Sequence, residues 1–178
     1  PIAQDVKFGK FDTISSKLTK QAILNARREG TVFVHPQDFP TISDFIFLLF
    51  HQLKPCKPTC CRKRRRVSHS DGNSSSDNIS TPIAGLCCKH CCLVQEDGEV
   101  HPSSGMYFPS TVECLGDSSF SQTLLMHLMS CSQTPQEIKH ALTELKNLAR
   151  EYKASIKRGS KREFVMKVWD RLGNYTKK

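Results

Sequence analysis

Gly85-Leu86-Cys87-Cys88-Lys89-His90-Cys91-Cys92, read together with His127-Leu128-Met129-Ser130-Cys131, decides how this chain folds. Cys88 and Cys91 stand three residues apart, a reach that lets two thiolates on one turn share a tetrahedral zinc ion. Such a turn supplies half a site. His127 and Cys131 are four residues apart in a segment expected to be helical, so both side chains project from one face and can close the coordination sphere. The expected metal ligands are Cys88, Cys91, His127 and Cys131, with structural Zn2+ as the cofactor. The 35 residues between Cys91 and His127 make an insert longer than the common zinc-finger one. Cys87, His90, Cys92, His101 and Cys114 lie close enough to replace a ligand or to build a second centre. The simpler reading of all five is a buried thiol or a surface imidazole.

Four protein ligands leave no coordination position for an activated water, so a metal held this way stabilises a fold and does not catalyse. No catalytic residue is expected, and the chain reads as a non-enzyme. It has no serine elbow, glycine-rich phosphate loop or H-E-x-x-H, and His101 lacks the H-x-E context of a zinc deaminase. Thiol redox chemistry at Cys88 and Cys91 would need a βαβ setting, which the surrounding residues do not suggest.

Nine cysteines are an odd number, and the adjacent pairs Cys60-Cys61, Cys87-Cys88 and Cys91-Cys92 fit a regular disulfide framework poorly. A secreted, disulfide-bonded protein is therefore the weakest of three readings. The 178 residues allow one ordinary domain or two small ones. Only 38% are hydrophobic, and the longest apolar patch, Phe45–Phe50, is far short of a membrane span. Pro1–Lys10 shows no basic segment followed by an apolar core of the secretory kind.

Working outward from the cysteines, Ser15 or Ser16 is expected to cap a helix to about Glu29, with Leu18, Ala22, Ile23 and Ala26 inward and Gly30 as its stop. Thr31–His35 reads as a short strand. Thr41-Ile42-Ser43-Asp44 reads as a cap for a second helix through Leu53, ended by Pro55. Tyr107–Pro109 suggests a strand end, and Ser121 or Thr123 the start of the helix carrying His127. Thr134-Pro135-Gln136-Glu137 and Ser160-Lys161-Arg162-Glu163 each combine a hydroxyl cap with an acid at the third helical position. Two amphipathic helices follow, cored by Ile138, Leu142, Leu145, Ala149 and Tyr152, and by Phe164, Val165, Val168, Trp169 and Leu172, with Gly173 as a stop. The fold class is α+β and mainly helical: a zinc-stapled unit with short strands, two amphipathic helices and an N-terminal helical lobe. The expected division is 1–61 for that lobe, 62–82 for a basic, serine-rich disordered linker, and 83–178 for the zinc unit with its basic helices.

A wider set of residues carries a resemblance. His35-Pro36 with Asp38, Asp44-Phe45 with Phe47, Gln52–Cys56, Gly85–Cys91, Tyr107–Ser110, Ser121–Leu124, His127-Leu128, Cys131, Gly159–Lys161, Phe164 and Trp169–Leu172 together resemble a family of uncharacterised diatom proteins over about residues 35–173. The middle of the chain is also similar, more loosely, to BED-type zinc fingers, which end in a His and a Cys or His on a helix and commonly bind DNA. The first resemblance supports the architecture and implies no activity; the second implies DNA binding. After Cys91 a glycine-rich turn is expected from the family, where this chain has Cys92-Leu93-Val94-Gln95-Glu96-Asp97.

Charge gives the functional expectation. Lysine and arginine outnumber acids 26 to 17, unevenly. Residues 67–133 carry one basic and seven acidic groups, whereas 134–178 carry twelve and five. The leading reading is a nuclear nucleic-acid-binding module, DNA-binding, regulatory and non-catalytic, with contacts from Arg62, Lys63, Arg64, Arg65 and Arg66 and from Lys146, Arg150, Lys153, Lys157, Arg158, Lys161, Arg162 and Lys167. The run Arg62–Arg66 also fits a nuclear-import signal. Glu96, Asp97, Glu99, Glu113 and Asp117 oppose a duplex lying across the zinc unit itself. The alternative is a protein-interaction or homodimerisation module in which the basic run serves only import. Neither a membrane nor a small-molecule substrate is expected as a partner.

Overall fold

The computed structural model describes residues 16–56, 84–91, 105–151 and 160–176. Helix α1 (Lys17–Glu29) starts where Ser16 accepts the Thr19 N–H and stops at Gly30, whose φ of 56° suits a residue without a Cβ. A 3-10 turn (Pro36–Thr41) leads to α2 (Asp44–His51), capped by Ser43, which accepts the Ile46 N–H. Strands β1 (Leu53–Cys56), β2 (Gly85–Cys88) and β3 (Met106–Tyr107) form an antiparallel sheet in the order β1-β2-β3. Then come α3 (Val112–Gly116), α4 (Ser118–Ser130), α5 (Gln136–Glu151) and α6 (Ser160–Thr176). The mainly helical α+β architecture is as expected. Among the described residues no helix is long and apolar enough to cross a membrane.

Two lobes were expected on either side of 62–82, but the described residues on both sides share one core. β1 pairs with β2, Leu53 opposite Cys88 and Cys56 opposite Gly85. Ala22, Ile23, Phe47 and Phe50 are buried in one cluster with Leu86, Leu124, Leu128, Leu142, Phe164 and Val168. The Phe50 ring meets Phe164 edge-on at 5.3 Å. Residues 57–83 are thus an insertion between two paired strands, which loop-closure entropy tolerates. The linker itself lies outside the described residues.

Several local expectations are corrected. Thr31–His35 is a turn, closed by Thr31 N–H on the Val34 carbonyl at 2.7 Å and by Val34 N–H on Thr31 Oγ1 at 3.0 Å. α2 ends at His51, and Pro55 sits inside β1; the strand is at the sheet edge, where a missing N–H costs no ladder bond on the open side. α4 opens at Asp117, which accepts the Ser119 N–H, ahead of Ser121. α6 runs through Gly173 to Thr176. In α1 the inward position is Thr19, fully buried, while Leu18 is 55% exposed. Glu144 of α5 explains the swap: its carboxylate accepts from Ser16 N–H, Ser16 Oγ and Thr19 Oγ1, so α1 presents polar donors inward at its first turn.

α6 is locked across the fold by charge. Arg171 donates to the Phe33 carbonyl at 2.7 Å and forks onto both oxygens of Asp38, whose side chain also accepts the His35 N–H at 2.9 Å. This bond holds the turn Pro36–Thr41 under the end of α6.

Candidate metal centre

Cys88, Cys91, His127 and Cys131 come together: their ligand atoms all lie within 4.8 Å of one another. The Cys91 Sγ to His127 Nε2 distance is 3.3 Å. A tetrahedral ion with bonds of about 2.3 Å to sulfur and 2.0–2.1 Å to nitrogen separates such a pair by about 3.5 Å. The donor set and its spacing therefore fit a metal ion.

Each ligand is placed by ordinary backbone rules. Cys88 ends β2, and the chain then turns through Lys89 and His90 to Cys91. In that turn the N–H groups of Cys91 and His90 point at the Cys88 sulfur and favour its thiolate. Burial outweighs them: together with the adjacent Cys91 it pushes the Cys88 thiol up to about 12, so a cation is what would let that sulfur ionise. His127 lies in the last turn of α4, and Cys131 caps that helix, its N–H donating to the His127 carbonyl at 2.8 Å. The carbonyl end of a helix carries partial negative charge, a favourable setting for a cation. Burial lowers His127, keeping the imidazole neutral as a ligand must be. Burial works to raise Cys131, but the neighbouring Thr134 hydroxyl and the Gln133 and Thr134 N–H groups more than offset it, and the thiol sits below its ordinary value.

The turn is anchored to α2. Lys89 N–H donates to the Gln52 carbonyl at 2.9 Å, and Lys89 Nζ reaches His51 Nδ1 at 3.3 Å. Gln52 Nε2 donates to the Leu48 carbonyl at 2.8 Å, which fixes the amide with Oε1 facing His90 Nε2 at 3.0 Å. His90 thus donates its ring N–H to Gln52 and supports the turn from outside the ligand set. Burial, then the Lys89 charge, pushes both His51 and His90 down to about 4, so both rings are neutral at pH 7.

Gly105 was not singled out from the sequence. Its carbonyl accepts the Cys88 N–H at 2.9 Å, and it packs directly on the ligands. A Cβ there would stand 2.7 Å from His127 Nε2 and 3.1 Å from Cys91 Sγ. The only signal in the sequence is a glycine one residue before the Met106-Tyr107 strand.

Of the other cysteines and histidines weighed for the site, Cys87 is buried on the opposite sheet face. Cys114 is exposed on α3, held down to about 7 by the Thr111 and Ser110 hydroxyls. Cys92 and His101 lie outside the described residues.

Of the expected nucleic-acid contacts, Lys146, Lys161, Arg162 and Lys167 have described side chains. Arg62–Arg66, Lys153, Lys157 and Arg158 lie outside the described residues, and Arg150 belongs to α5. Lys146 donates to Gln122 Oε1 at 3.3 Å, and Lys167 pairs with Glu163 at 3.2 Å. Lys161 is half-buried, its ammonium lowered by burial and opposed in this by Asp117, and Arg162 acts on Glu113. Comparison of the chain with protein-family models, curated proteins and solved structures finds no match.

Proposed function

We propose that the protein is a zinc-stabilised, non-catalytic module that binds nucleic acid in the nucleus. The observation that carries the structural part is the convergence of Cys88, Cys91, His127 and Cys131, four protein ligands that fill a tetrahedral sphere. When bound, the ion supplies cross-linking of the β2 turn to the end of α4 and no chemistry on a substrate. The residues do the rest: Gln52 and His90 orient the turn, and the α4 C-terminus orients His127 and Cys131.

Nucleic acid is the partner favoured by charge. Arg62–Arg66 lies in the insertion between β1 and β2, six to ten residues beyond Cys56, and so belongs to a segment tethered at both ends to the metal-stapled sheet. The same run serves nuclear import. Binding of the zinc-loaded chain to a mixed-sequence DNA duplex and to single-stranded RNA, titrated from 50 to 200 mM salt, tests this. If the five basic residues all meet phosphates, log K falls with log salt at a slope of about −4.5 on duplex DNA. Replacement of all five by Ser removes that part of the slope.

One observation favours a second reading, a protein-binding or homodimerising module. Lys161, Arg162 and Lys167 face acids of their own chain, whereas Met126 and Met129 of α4 stand 59% and 38% exposed, Met129 beside Thr143 of α5. Exposed methionines suit adaptable protein contacts. Salt-insensitive self-association in sedimentation, abolished by Met126→Lys, supports that reading over the first.

A further inference from the structure

Cys87 and Cys88 are consecutive on β2, and the pleat sends consecutive side chains to opposite faces of a sheet. Cys88 faces the main core with Leu53 and Leu86. Cys87 faces away from it, and the register says what it meets there. Lys54 of β1 stands opposite Cys87 on one side and Met106 of β3 on the other, while Cys56 stands opposite Gly85. Cys56 and Cys87 are therefore diagonal neighbours on one face, with Met106 completing the row.

These three sulfur-bearing side chains pack together as a cluster separate from the main core. Cys87 is fully buried, Cys56 is 7% exposed and Met106 is half-buried. Gly85 lets the Phe108 ring pack beside this cluster: a Cβ there would collide with Phe108 Cε1 and stand 3.0 Å from the Cys56 sulfur. Diagonal neighbours on paired strands lie about 7–8 Å apart. That exceeds the Cα separation of an ordinary disulfide, about 4.4–6.8 Å, so the two thiols are placed to share an ion more readily than a bond.

We propose that Cys56, Cys87 and Met106 form a second metal site, which takes monovalent copper. Thiolate and thioether donors select Cu(I), whereas zinc at a structural site takes four ligands. Among the described residues this cluster offers sulfur donors. Each thiol that ligates releases its proton to solvent, and the copper enters and leaves as Cu(I), with no electron transferred. Two thiolates on one monovalent ion leave a net charge of −1, and Lys54, on the same face opposite Cys87, carries the compensating charge. The site does not depend on the zinc assignment, and zinc retention reports whether the fold survives.

The test uses the zinc-loaded chain under anaerobic conditions, with Cu(I) offered from its bicinchoninate complex. One equivalent of copper is bound per chain with zinc retained, and X-ray absorption at the copper edge shows sulfur neighbours only. The Cys56→Ser, Cys87→Ser double variant keeps its zinc and loses the copper; Met106→Leu raises the copper dissociation constant by about tenfold or more. Copper uptake by the double variant equal to that of the parent overturns the proposal. So does release of one zinc per copper bound, which places copper at the first site. If the double variant fails to fold, nitrogen or oxygen neighbours in the parent's absorption spectrum overturn it equally.

Discussion

Replacing Gly105 with alanine adds one methyl group against the metal ligands. Its Cβ would stand 2.7 Å from His127 Nε2, 2.8 Å from His127 Cε1 and 3.1 Å from Cys91 Sγ, where ordinary contact begins at 3.4 Å. The imidazole must therefore retreat by about 0.7 Å, well beyond the ±0.2 Å that metal–ligand bonds allow. Gly105 is also held in place, since its carbonyl accepts the Cys88 N–H, so the backbone cannot move away without disturbing a third ligand. Loss of support around a metal costs about 10–100-fold in affinity, or about 1.4–2.8 kcal/mol. Competition with a zinc-chelating dye measures this directly. Gly116→Ala is the control, because its Cβ meets nothing nearer than Val165 Cγ1 at 3.9 Å. Zinc binding by Gly105→Ala as tight as that of the parent chain, with Gly116→Ala the same, would refute a steric role for Gly105.

Three further outcomes follow from the packing. Gly173→Ala stabilises the protein by about 0.5–1 kcal/mol in urea unfolding, since Gly173 lies within α6 and nothing stands within 4 Å of its Cβ position. Asp38→Asn leaves the Arg171 charge poorly paired and destabilises by about 3 kcal/mol or more, with a pH signature. Burial would raise Asp38, but the Arg171 and His35 bonds hold it below its ordinary value of 3.8. A lowered carboxylate contributes stability that is present above its unfolded value and lost as pH falls through the folded one. Acid unfolding of the parent below about pH 4 therefore contains a component that Asp38→Asn lacks. In α1, Ile23→Ala costs about 2–4 kcal/mol, while Leu18→Gln stays within about 0.5 kcal/mol, which checks the rotation of the helix in thermal unfolding.

The helices and the ligand set were legible because their signals are local. Ser16 and Gly30 bracket α1 as caps, and the three- and four-residue spacings of Cys88–Cys91 and His127–Cys131 follow from one turn and one helical face. What was not legible depends on partners far along the chain. Thr19 turns inward because Glu144, 125 residues away, accepts its hydroxyl, a pairing that an apolar pattern cannot register. β1 contains a proline and reads as a helix end; it becomes a strand because β2, beyond the insertion, pairs with it. The same pairing merges the two expected lobes into one core. Gly105 matters only once the fold has brought it onto His127, so its role has no signature in its own neighbours. Thr31–His35 looks like a strand from Val32 and Val34 but lies outside the three-stranded sheet, and it closes on itself as a turn.

The proposed zinc ion staples the β2 turn to α4. Elemental mass spectrometry on chain purified without added metal, paired with circular dichroism before and after chelation, tests it most directly. The expected result is about one zinc per chain, lost in Cys131→Ser, with helical signal falling as the chelator removes the ion and returning on its restoration. A metal-free chain that keeps its full helical signal and thermal stability, with Cys88, Cys91 and Cys131 all open to thiol reagents, would contradict it.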